Sequence, residues 1–209
     1  MDNQENKNSD SQGAGESIKT LGAFIWDLVK ILVIAAIIVV PFRMFIAEPF
    51  VVSGSSMQPN FQNHDYLIVD RLSYITGNPQ RGDVIVLLYP KDTSQFFIKR
   101  IIGLPGETVC FNRFCDAKYQ SDGHVYIENS AHAQPWLLTE PYLVSENETT
   151  GSPQPVKLGS NEFFVLGDNR TASSDSRVWG ILPRGDIVGR VWARIYPLST
   201  AGFFQTPSY

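Results

Sequence analysis

Two hydrophobic patterns divide the chain, and the boundary between them lies near residue 47. Residues 21–42 form an apolar run in which Asp27 and Lys30 are the only ionisable side chains. A helix of that length spans about 33 Å at about 1.5 Å per residue, enough for the hydrocarbon core of a bilayer. The ionisable pair stands at positions i and i+3 near the start of the run, where its members neutralise one another or reach the headgroups. The pattern predicts a membrane anchor over residues 21–46.

A cleaved secretory signal and a buried core helix are the alternatives to this anchor. The strictly uncharged part, residues 31–42, has a length typical of the h-region of a signal peptide. However, the polar tail before the run, residues 1–20, carries four acidic residues against two lysines, and no small-x-small cleavage site follows the run. The tail is predicted to be disordered, so it offers a core helix no packing partner. Lysines before the span and only Arg43 close behind it favour a single-pass protein of the cell membrane, with a cytoplasmic amino terminus and an exported body.

Beyond residue 47 the pattern changes to short runs of β-branched and aromatic residues separated by turn signals. The runs predicted as strands are 66–74, 83–89, 96–102, 107–111, 124–128, 162–167 and 186–198. No stretch sustains a helical period for three turns, so residues 47–209 are predicted to form a mostly β domain, an antiparallel barrel or sandwich. Residues 120–158 are the least patterned part and are interpreted as an inserted subregion.

Composition excludes several classes of function. The formal net charge is −4, from 17 basic and 21 acidic residues without a Lys/Arg-rich run, so nucleic acid is not a predicted partner. Cys110 and Cys115 lack the paired spacing of a zinc ribbon and have no histidines nearby. They form a small-loop disulfide in an oxidising compartment or stay reduced elsewhere. The acidic spacing within residues 166–186 does not match a calcium loop, so neither a metal nor a cofactor is predicted.

The first polar segment with possible chemistry is VVSGSSMQPN, residues 51–60, which holds three serines and a glycine. Gly and Ser are common turn residues, so the segment is either a plain loop or a turn that presents a nucleophile. Histidine is the usual base for a serine. His64, His124 and His132 all stand in turn-like surroundings and are interpreted as surface histidines, so a Ser-His-Asp arrangement has no local support.

The second segment is FFIKRIIGLPGE, in which Lys99 has apolar residues on both sides. Side chains alternate along a strand, so Lys99 shares a face with Phe97 and Ile101 while Arg100 points the other way. Burial disfavours the ammonium form and lowers the pKa of a lysine, and Arg100, as a neighbouring cation, is expected to lower the pKa of Lys99 further. A neutral lysine accepts a proton from a serine, whereas an edge-strand lysine with a solvated amine does not.

The third segment, LGDNRTASSDSRVWGILPRGD, has the Gly, Asp, Asn and Ser density of a turn, and by itself its Asp175 and Arg177 indicate only a surface ion pair. Together the three segments resemble the type I signal peptidases, the membrane-bound Ser/Lys proteases. The resemblance lies in the order SGSSMQP, FIKRIIGLPGE and GDNRTASSDSRVWG, with 43 residues from Ser56 to Lys99. It extends from about residue 21 to residue 198.

The resemblance implies a role for each matching residue. Ser56 corresponds to the nucleophile and Lys99 to the general base, so the β domain is expected to be catalytic. Ser173 corresponds to the serine that orients the lysine, and Asp175 and Arg177 correspond to the pair that braces the site.

Two positions depart from the family pattern. Gly54 stands where some members have a serine that donates to the oxyanion, beside the N–H of the nucleophile. Either the backbone of Gly54 or the hydroxyl of Ser53 or Ser55 replaces this donor, or the donor is missing. Asn60 stands where the family often has Thr and is expected to have a similar role in the turn.

The substrates implied by the resemblance are exported preproteins, which are cut after a small-x-small motif next to an apolar helix. An extended peptide is expected to pair with an exposed strand near EPFVVS, and an anchor in the lipid bilayer keeps enzyme and substrate at one surface. Two alternatives stay open: a related membrane Ser/Lys protease with a dedicated substrate, and a non-catalytic anchored β binding module.

Overall fold

The structure is a computed structural model that describes residues 21–37, 39, 47–144, 149–152 and 154–207. The chain divides into two units, residues 1–45 and 46–209. In the first unit residues 21–37 form helix α1, where Asp27 and Lys30 make the ion pair expected from their spacing, with 2.8 Å between Oδ1 and Nζ.

Membrane anchoring stays a prediction. Within the described ranges no helix has both the length and the apolar character needed to cross a bilayer. Residue 38 and residues 40–46 of the predicted anchor lie outside the described residues, as does the polar tail, residues 1–20.

The described part of the second unit is built mainly from strands. They are β1 (Ala47–Val51), β2 (Tyr66–Asp70), β3 (Val84–Tyr89), β4 (Asp92–Gly103), β5 (Thr108–Cys110), β6 (Tyr126–Asn129), β7 (His132–Leu137), β8 (Val156–Lys157), β9 (Glu162–Leu166), β10 (Leu182–Pro183), β11 (Ile187–Tyr196) and β12 (Gly202–Phe203). Two short helices, α2 (Ser73–Thr76) and α3 (Ser176–Trp179), and two 3-10 turns, Arg184–Asp186 and Leu198–Thr200, complete the regular structure.

The strands form two antiparallel sheets. The larger has the order β1-β2-β11-β3-β4-β9-β10, with β12 added to β11, and the smaller has the order β7-β6-β5-β8. Every strand pair in the described residues is antiparallel. The predicted mostly β, antiparallel class is therefore confirmed.

Two local differences from the predicted strands have clear causes. The run 66–74 ends as a strand at Asp70, because the Asp70 carboxylate accepts the N–H of Ser73, at 3.1 Å, and turns the chain into α2. Residues 120–158 contain β6, β7 and β8, which complete the smaller sheet around β5. Strand β7 was missed because Pro135 interrupts its pattern, and its edge position tolerates that proline.

In the described part of the second unit, the core consists of three buried hydrophobic clusters. The central strands contribute to two clusters at once: in β3, Ile85 and Leu87 enter the first cluster, while Val84 and Val86 enter the third. In β9, side chains alternate between the first and the second cluster. Because both faces of these strands are covered, their sequences are continuously apolar. A charged residue in the middle of such a strand is therefore buried on either face.

Candidate active site

The serines identified in the sequence lie in an irregular segment between β1 and β2, here called the serine turn, residues 52–65. Its ends are joined by two backbone hydrogen bonds, from Val52 N–H to Asp65 O and from His64 N–H to Val52 O, both 2.9 Å. Met57 and Phe61 are each only 1% exposed and anchor the segment in the third cluster. Ser56 directly precedes Met57, so the first of these anchors holds it against the surface of the larger sheet.

Lys99 meets Ser56 across this surface. It lies in β4 opposite Ile85 of β3 and is 3% exposed. Its Nζ is 2.8 Å from Ser56 Oγ, and it donates to the carbonyl of Ile98 at 2.9 Å. Among the described residues no carboxylate lies within 4.0 Å of Nζ to form an ion pair. The structure thus brings together the two residues on which the resemblance depends.

Burial lowers the pKa of Lys99 to about 8, even though the more distant charges of Asp175 and Asp168 raise it. The sequence suggested Arg100 as a further cause of the lowered pKa, and this expectation was wrong. Arg100 points to the opposite face, where its Nε and Nη2 donate to both carboxylate oxygens of Asp168, at 2.8 and 2.6 Å. Its charge is neutralised there by a bidentate ion pair.

Asp168 also ties this ion pair to the serine turn. Its carboxylate accepts from Asn60 Nδ2 at 2.8 Å, and its N–H donates to Met57 Sδ at 3.4 Å. Asn60 Nδ2 donates in addition to the carbonyl of Tyr142, at 2.9 Å. Asn60 therefore stabilises the turn, as expected, while Asp168 is a site residue that sequence reasoning missed. Its only signal was its place in the GDNR motif.

Asp175 and Arg177 lie together at the start of α3. The guanidinium donates from Nε and Nη2 to the Asp175 carboxylate, at 2.8 Å each, and the N–H of Gly167 donates to it at 3.1 Å. Burial alone raises the pKa of Asp175, but these donors outweigh it and hold the pKa below its usual value. The expected pairing of Asp175 with Arg177 is therefore present, and Asp175 stays an anion near Ser56 and Lys99, the two residues called the dyad below.

Ser173, expected to orient the lysine, makes no hydrogen bond to Lys99. Its Oγ is buried and has no hydrogen-bond partner among the described residues, although it lies close enough to Asp175 to help lower the pKa of that carboxyl. Gly167 explains how Ser173 fits beside the dyad. A Cβ at Gly167 would lie 2.2 Å from Ser173 Oγ and 2.5 Å from the carbonyl oxygen of Ser56, so any larger residue collides with both.

Two further residues of the GDNR motif, Asn169 and Arg170, make contacts that stabilise the candidate site. Asn169 donates from its N–H to the carbonyl of Ser56, at 2.9 Å, and from Nδ2 to the carbonyl of Ser55, at 3.2 Å. Arg170 is fully buried and pairs with Glu140 and Thr149. These roles were not foreseen, because their partners are distant in the sequence.

Gly54 is the position where some family members have a serine that donates to the oxyanion, and the structure shows how its own N–H is used. Gly54 has a φ of +98°, a region that favours glycine, and its N–H donates to Asn63 Oδ1 at 2.9 Å. Its backbone donor is therefore already used. In the described residues the N–H of Ser56 has no hydrogen-bond partner, and the exposed residues Ser53 and Ser55 lie beside it.

A groove of about 320 Å³ opens directly in front of Ser56 and Lys99. One wall comes from the end of β1 and the first part of the serine turn, and the other comes from β4. The apolar side chains that line the groove, including one each from β2 and β3, are Phe50, Val51, Val52, Leu67, Val86, Phe96, Phe97, Ile98 and Ala172. The groove can therefore receive an extended, mainly apolar peptide next to the Ser56 hydroxyl.

The remaining candidates from the sequence lie away from this groove. His64, His124 and His132 are exposed, as interpreted from the sequence, and none contacts Ser56. Cys110 and Cys115 form a disulfide. With Glu128 they make the one cluster of potential metal ligands in the described ranges, but both sulfur atoms are used in the S–S bond.

Comparison with protein families gives one match over most of the chain. The family described as "Signal peptidase, peptidase S26" matches residues 25–196, which include the serine turn, Lys99 and the GDNR motif.

Individual relatives agree with this family match. Probable signal peptidase I-2 of Synechocystis sp. is 35% identical over 181 residues, covering 84% of this chain and 75% of the relative. Signal peptidase I of Leptolyngbya laminosa is 35% identical over 200 residues, covering 92% of this chain and 84% of the relative. A crystal structure of a signal peptidase I from Enterococcus faecalis V583 is 34% identical, covers 55% of this chain and 97% of its own, and has a TM-score of 0.42.

Proposed function

The chain belongs to the signal peptidase family, peptidase S26, and is therefore a serine peptidase; we propose that it removes signal peptides from exported preproteins with Ser56 as nucleophile and Lys99 as general base. The observation that carries this assignment is the 2.8 Å separation of Lys99 Nζ from Ser56 Oγ, with the lysine buried and without an ion pair among the described residues. A nucleophile within hydrogen-bond reach of a base is the arrangement that acyl transfer requires.

Acylation begins with neutral Lys99. With a pKa of about 8, about a tenth of the molecules carry the neutral amine at pH 7. The amine takes the Ser56 proton while Oγ attacks the scissile carbonyl, and the resulting ammonium protonates the leaving amine. The products of this half-reaction are an acyl-enzyme ester and the amino terminus of the mature protein. Lys99 is neutral again and can deprotonate the water that hydrolyses the ester.

The developing oxyanion needs donors that are not already used. The N–H of Ser56 meets this condition within the described residues. The N–H of Gly54 does not, because it donates to Asn63. We assign the second donor to a hydroxyl of Ser53 or Ser55, which contributes by the same electrostatic mechanism as a backbone donor.

The peptide binds in the groove between β1 and β4. Strand β1 is the terminal strand of the larger sheet, and a free edge can pair with an extended substrate. The apolar walls next to Ser56 favour small apolar side chains on the substrate, in agreement with a small-x-small cleavage motif.

We place the catalytic body on the exported side of the cell membrane, held by an anchor within residues 21–46. The apolar sequence supports the anchor, and the charge distribution supports a cytoplasmic amino terminus. The disulfide between Cys110 and Cys115 supports an oxidising compartment for the body. Anchoring enzyme and substrate in one bilayer raises their effective concentration.

The test is cleavage of a small-x-small preprotein in detergent micelles by the wild type, Ser56→Ala and Lys99→Ala, with circular dichroism to confirm folding. Both variants are expected to stay folded and to lose at least about three orders of magnitude in rate. Substantial cleavage by Lys99→Ala would place the base elsewhere. A wild type that reacts at Ser56 with an active-serine reagent but leaves the preprotein intact would indicate a protease with another substrate.

A further inference from the structure

The segment after the last long strand packs across the sheet as a strap, residues 202–207. It begins as β12, where Gly202 lies opposite Arg194 of β11, and the N–H of Phe204 donates to the carbonyl of Trp192 at 2.9 Å. Its two consecutive phenylalanines face opposite sides. Phe203 is 71% exposed, whereas Phe204 packs against the third hydrophobic cluster.

Phe204 contacts the inner side of the serine turn. Its ring centroid lies 4.6 Å from that of Phe61, a buried residue of that turn. The N–H of Phe61 donates to the carbonyl of Met57 at 2.9 Å, and Met57 follows Ser56 in the chain. A single aromatic contact and a single backbone hydrogen bond therefore connect the strap to the residue beside the nucleophile.

Arg194 fastens the strap and the serine turn to each other. Its guanidinium carbon lies 5.4 Å from the ring centroid of Phe204 and 6.0 Å from that of Phe61. Its Nη1 donates to the carbonyl of Asn60 at 3.0 Å and to the carboxylate of buried Asp65 at 2.7 Å. One side chain thus contacts both the aromatic pair and the backbone of the turn.

The far end of the strap is fixed to the sheet. Thr206 Oγ1 donates to Asp83 Oδ1 at 2.5 Å, and the hydroxyl of Tyr74 donates to Asp83 Oδ2 at 2.6 Å. Asp83 is 2% exposed, so this attachment is shielded from water. The strap is therefore held on both sides of Phe204.

We propose that Phe204 and Arg194 are positioning residues that hold Ser56 against Lys99 for acylation. Lys99 is fixed by a central strand, whereas Ser56 belongs to a segment without regular secondary structure, so the distance between them depends on what supports the turn. A displacement of about 1 Å in such a pair can lower the rate about a hundredfold. The inference rests on the proposed function, since it concerns the same dyad.

The test compares Phe204→Ala with Phe203→Ala, a matched control at the neighbouring position of the strap that lies outside the turn. Steady-state cleavage of a preprotein peptide gives kcat and KM, and labelling of Ser56 by an active-serine reagent gives a rate that needs no substrate. We expect Phe204→Ala to lower both kcat and the labelling rate at least about tenfold, while KM stays within about twofold of the wild-type value. The reason is that the substitution displaces Ser56 from Lys99 but does not change the groove that binds the substrate. Phe203→Ala keeps the wild-type values.

A second pair of variants keeps the test decisive if Phe204→Ala does not fold, as judged by circular dichroism. Phe204→Leu keeps an apolar side chain and is expected to retain most of the wild-type kcat. Arg194→Met keeps an unbranched side chain but loses the hydrogen bonds to Asn60 and Asp65. It is expected to lower kcat with little change in KM. The proposal would be overturned if Phe204→Ala and Arg194→Met kept the wild-type kcat. It would also be overturned if Phe203→Ala lost as much kcat as Phe204→Ala, or if the variants changed KM and left kcat unchanged. A wild type that is labelled but does not cleave would overturn the proposed substrate, and the labelling rates would still decide the role of the strap.

Discussion

Lys99 and Arg100 are consecutive residues of β4, both are buried cations, and their electrostatic surroundings are opposite. Arg100 has a bidentate ion pair with Asp168 and donates to the carbonyl of Gly82 at 2.9 Å. Lys99 has a serine hydroxyl and a carbonyl as hydrogen-bond partners and, within the described residues, no ion pair. The pKa of Lys99 is consequently lowered to about 8 by burial.

The comparison shows how one strand supplies two buried cations with different roles: Arg100 stabilises the fold through its ion pair, and Lys99 is available as a base. A buried cation is tolerated when a carboxylate satisfies it, and the pair then holds the elements that it joins. A buried amine without an ion pair is destabilised as an ammonium and becomes a base near neutral pH. The nearby anions, Asp168 and Asp175, are paired with arginines instead of with Lys99, and the proposed role of Lys99 as a base depends on this arrangement.

Lys99→Arg removes the difference between the two cations and should have the largest effect. A guanidinium stays protonated at every working pH, so it cannot accept the Ser56 proton. We expect kcat for preprotein cleavage to fall about 10⁴-fold or more, with the variant folded by circular dichroism. Lys157→Arg, on an exposed strand residue, is the control and should match the wild type. Retained cleavage by Lys99→Arg would contradict the role of Lys99 as base.

Asp168→Ala removes the carboxylate that pairs with Arg100. Arg100 is then a buried cation without its bidentate partner, and we expect the free energy of unfolding in urea to fall by about 3–5 kcal/mol. Glu48→Ala breaks the exposed ion pair between Glu48 of β1 and Arg71, which follows β2, and should change stability by about 1 kcal/mol or less. Equal effects of the two substitutions would show that burial does not distinguish these pairs.

Lys99→Met should stabilise the protein at neutral pH while abolishing activity. Because the pKa of Lys99 is about 8 in the folded state and 10.5 ordinarily, the unfolded chain binds its proton more tightly. The resulting destabilisation is fully present below pH 8 and disappears as the pH rises to 10.5. Urea unfolding at pH 7 is expected to show Lys99→Met more stable by about 1–3 kcal/mol, with a smaller difference at alkaline pH. Lys157→Met is the control, and a destabilised Lys99→Met would refute the assigned burial penalty.

Among the expected changes in activity, that of Asp175→Asn should be the smallest, a displacement of the pH profile of kcat. Wild-type kcat is expected to rise with pH around a midpoint near 8, as Lys99 loses its proton. Asp175 raises the pKa of Lys99, so its neutralisation should lower that midpoint, by less than about one pH unit. A profile measured from pH 6 to pH 10 decides the sign, and a midpoint that moves upward would contradict the assigned interaction.

Much of the site was accessible from the sequence because its motifs are local. Ser56, Lys99, Asp175 and Arg177 were assigned from three short segments taken together, through their resemblance to the type I signal peptidases, and the structure brings all four to one region. Asp168 was missed because its importance depends on three partners, Asn60, Met57 and Arg100, that are between 68 and 111 residues away. No local pattern contains those contacts.

Local periodicity was sufficient to predict the mostly β class and the opposite directions of Lys99 and Arg100, since the alternation of side chains is a property of any extended strand. It was also sufficient to predict that Lys99 has apolar neighbours. Tertiary packing alone decided that both faces of β4 are covered, that Arg100 meets Asp168 while Lys99 meets Ser56, and that Phe204, not Phe203, supports the serine turn. The physical reason is that desolvation and pairing depend on which distant segments lie against a face, and alternation specifies only that the two faces differ.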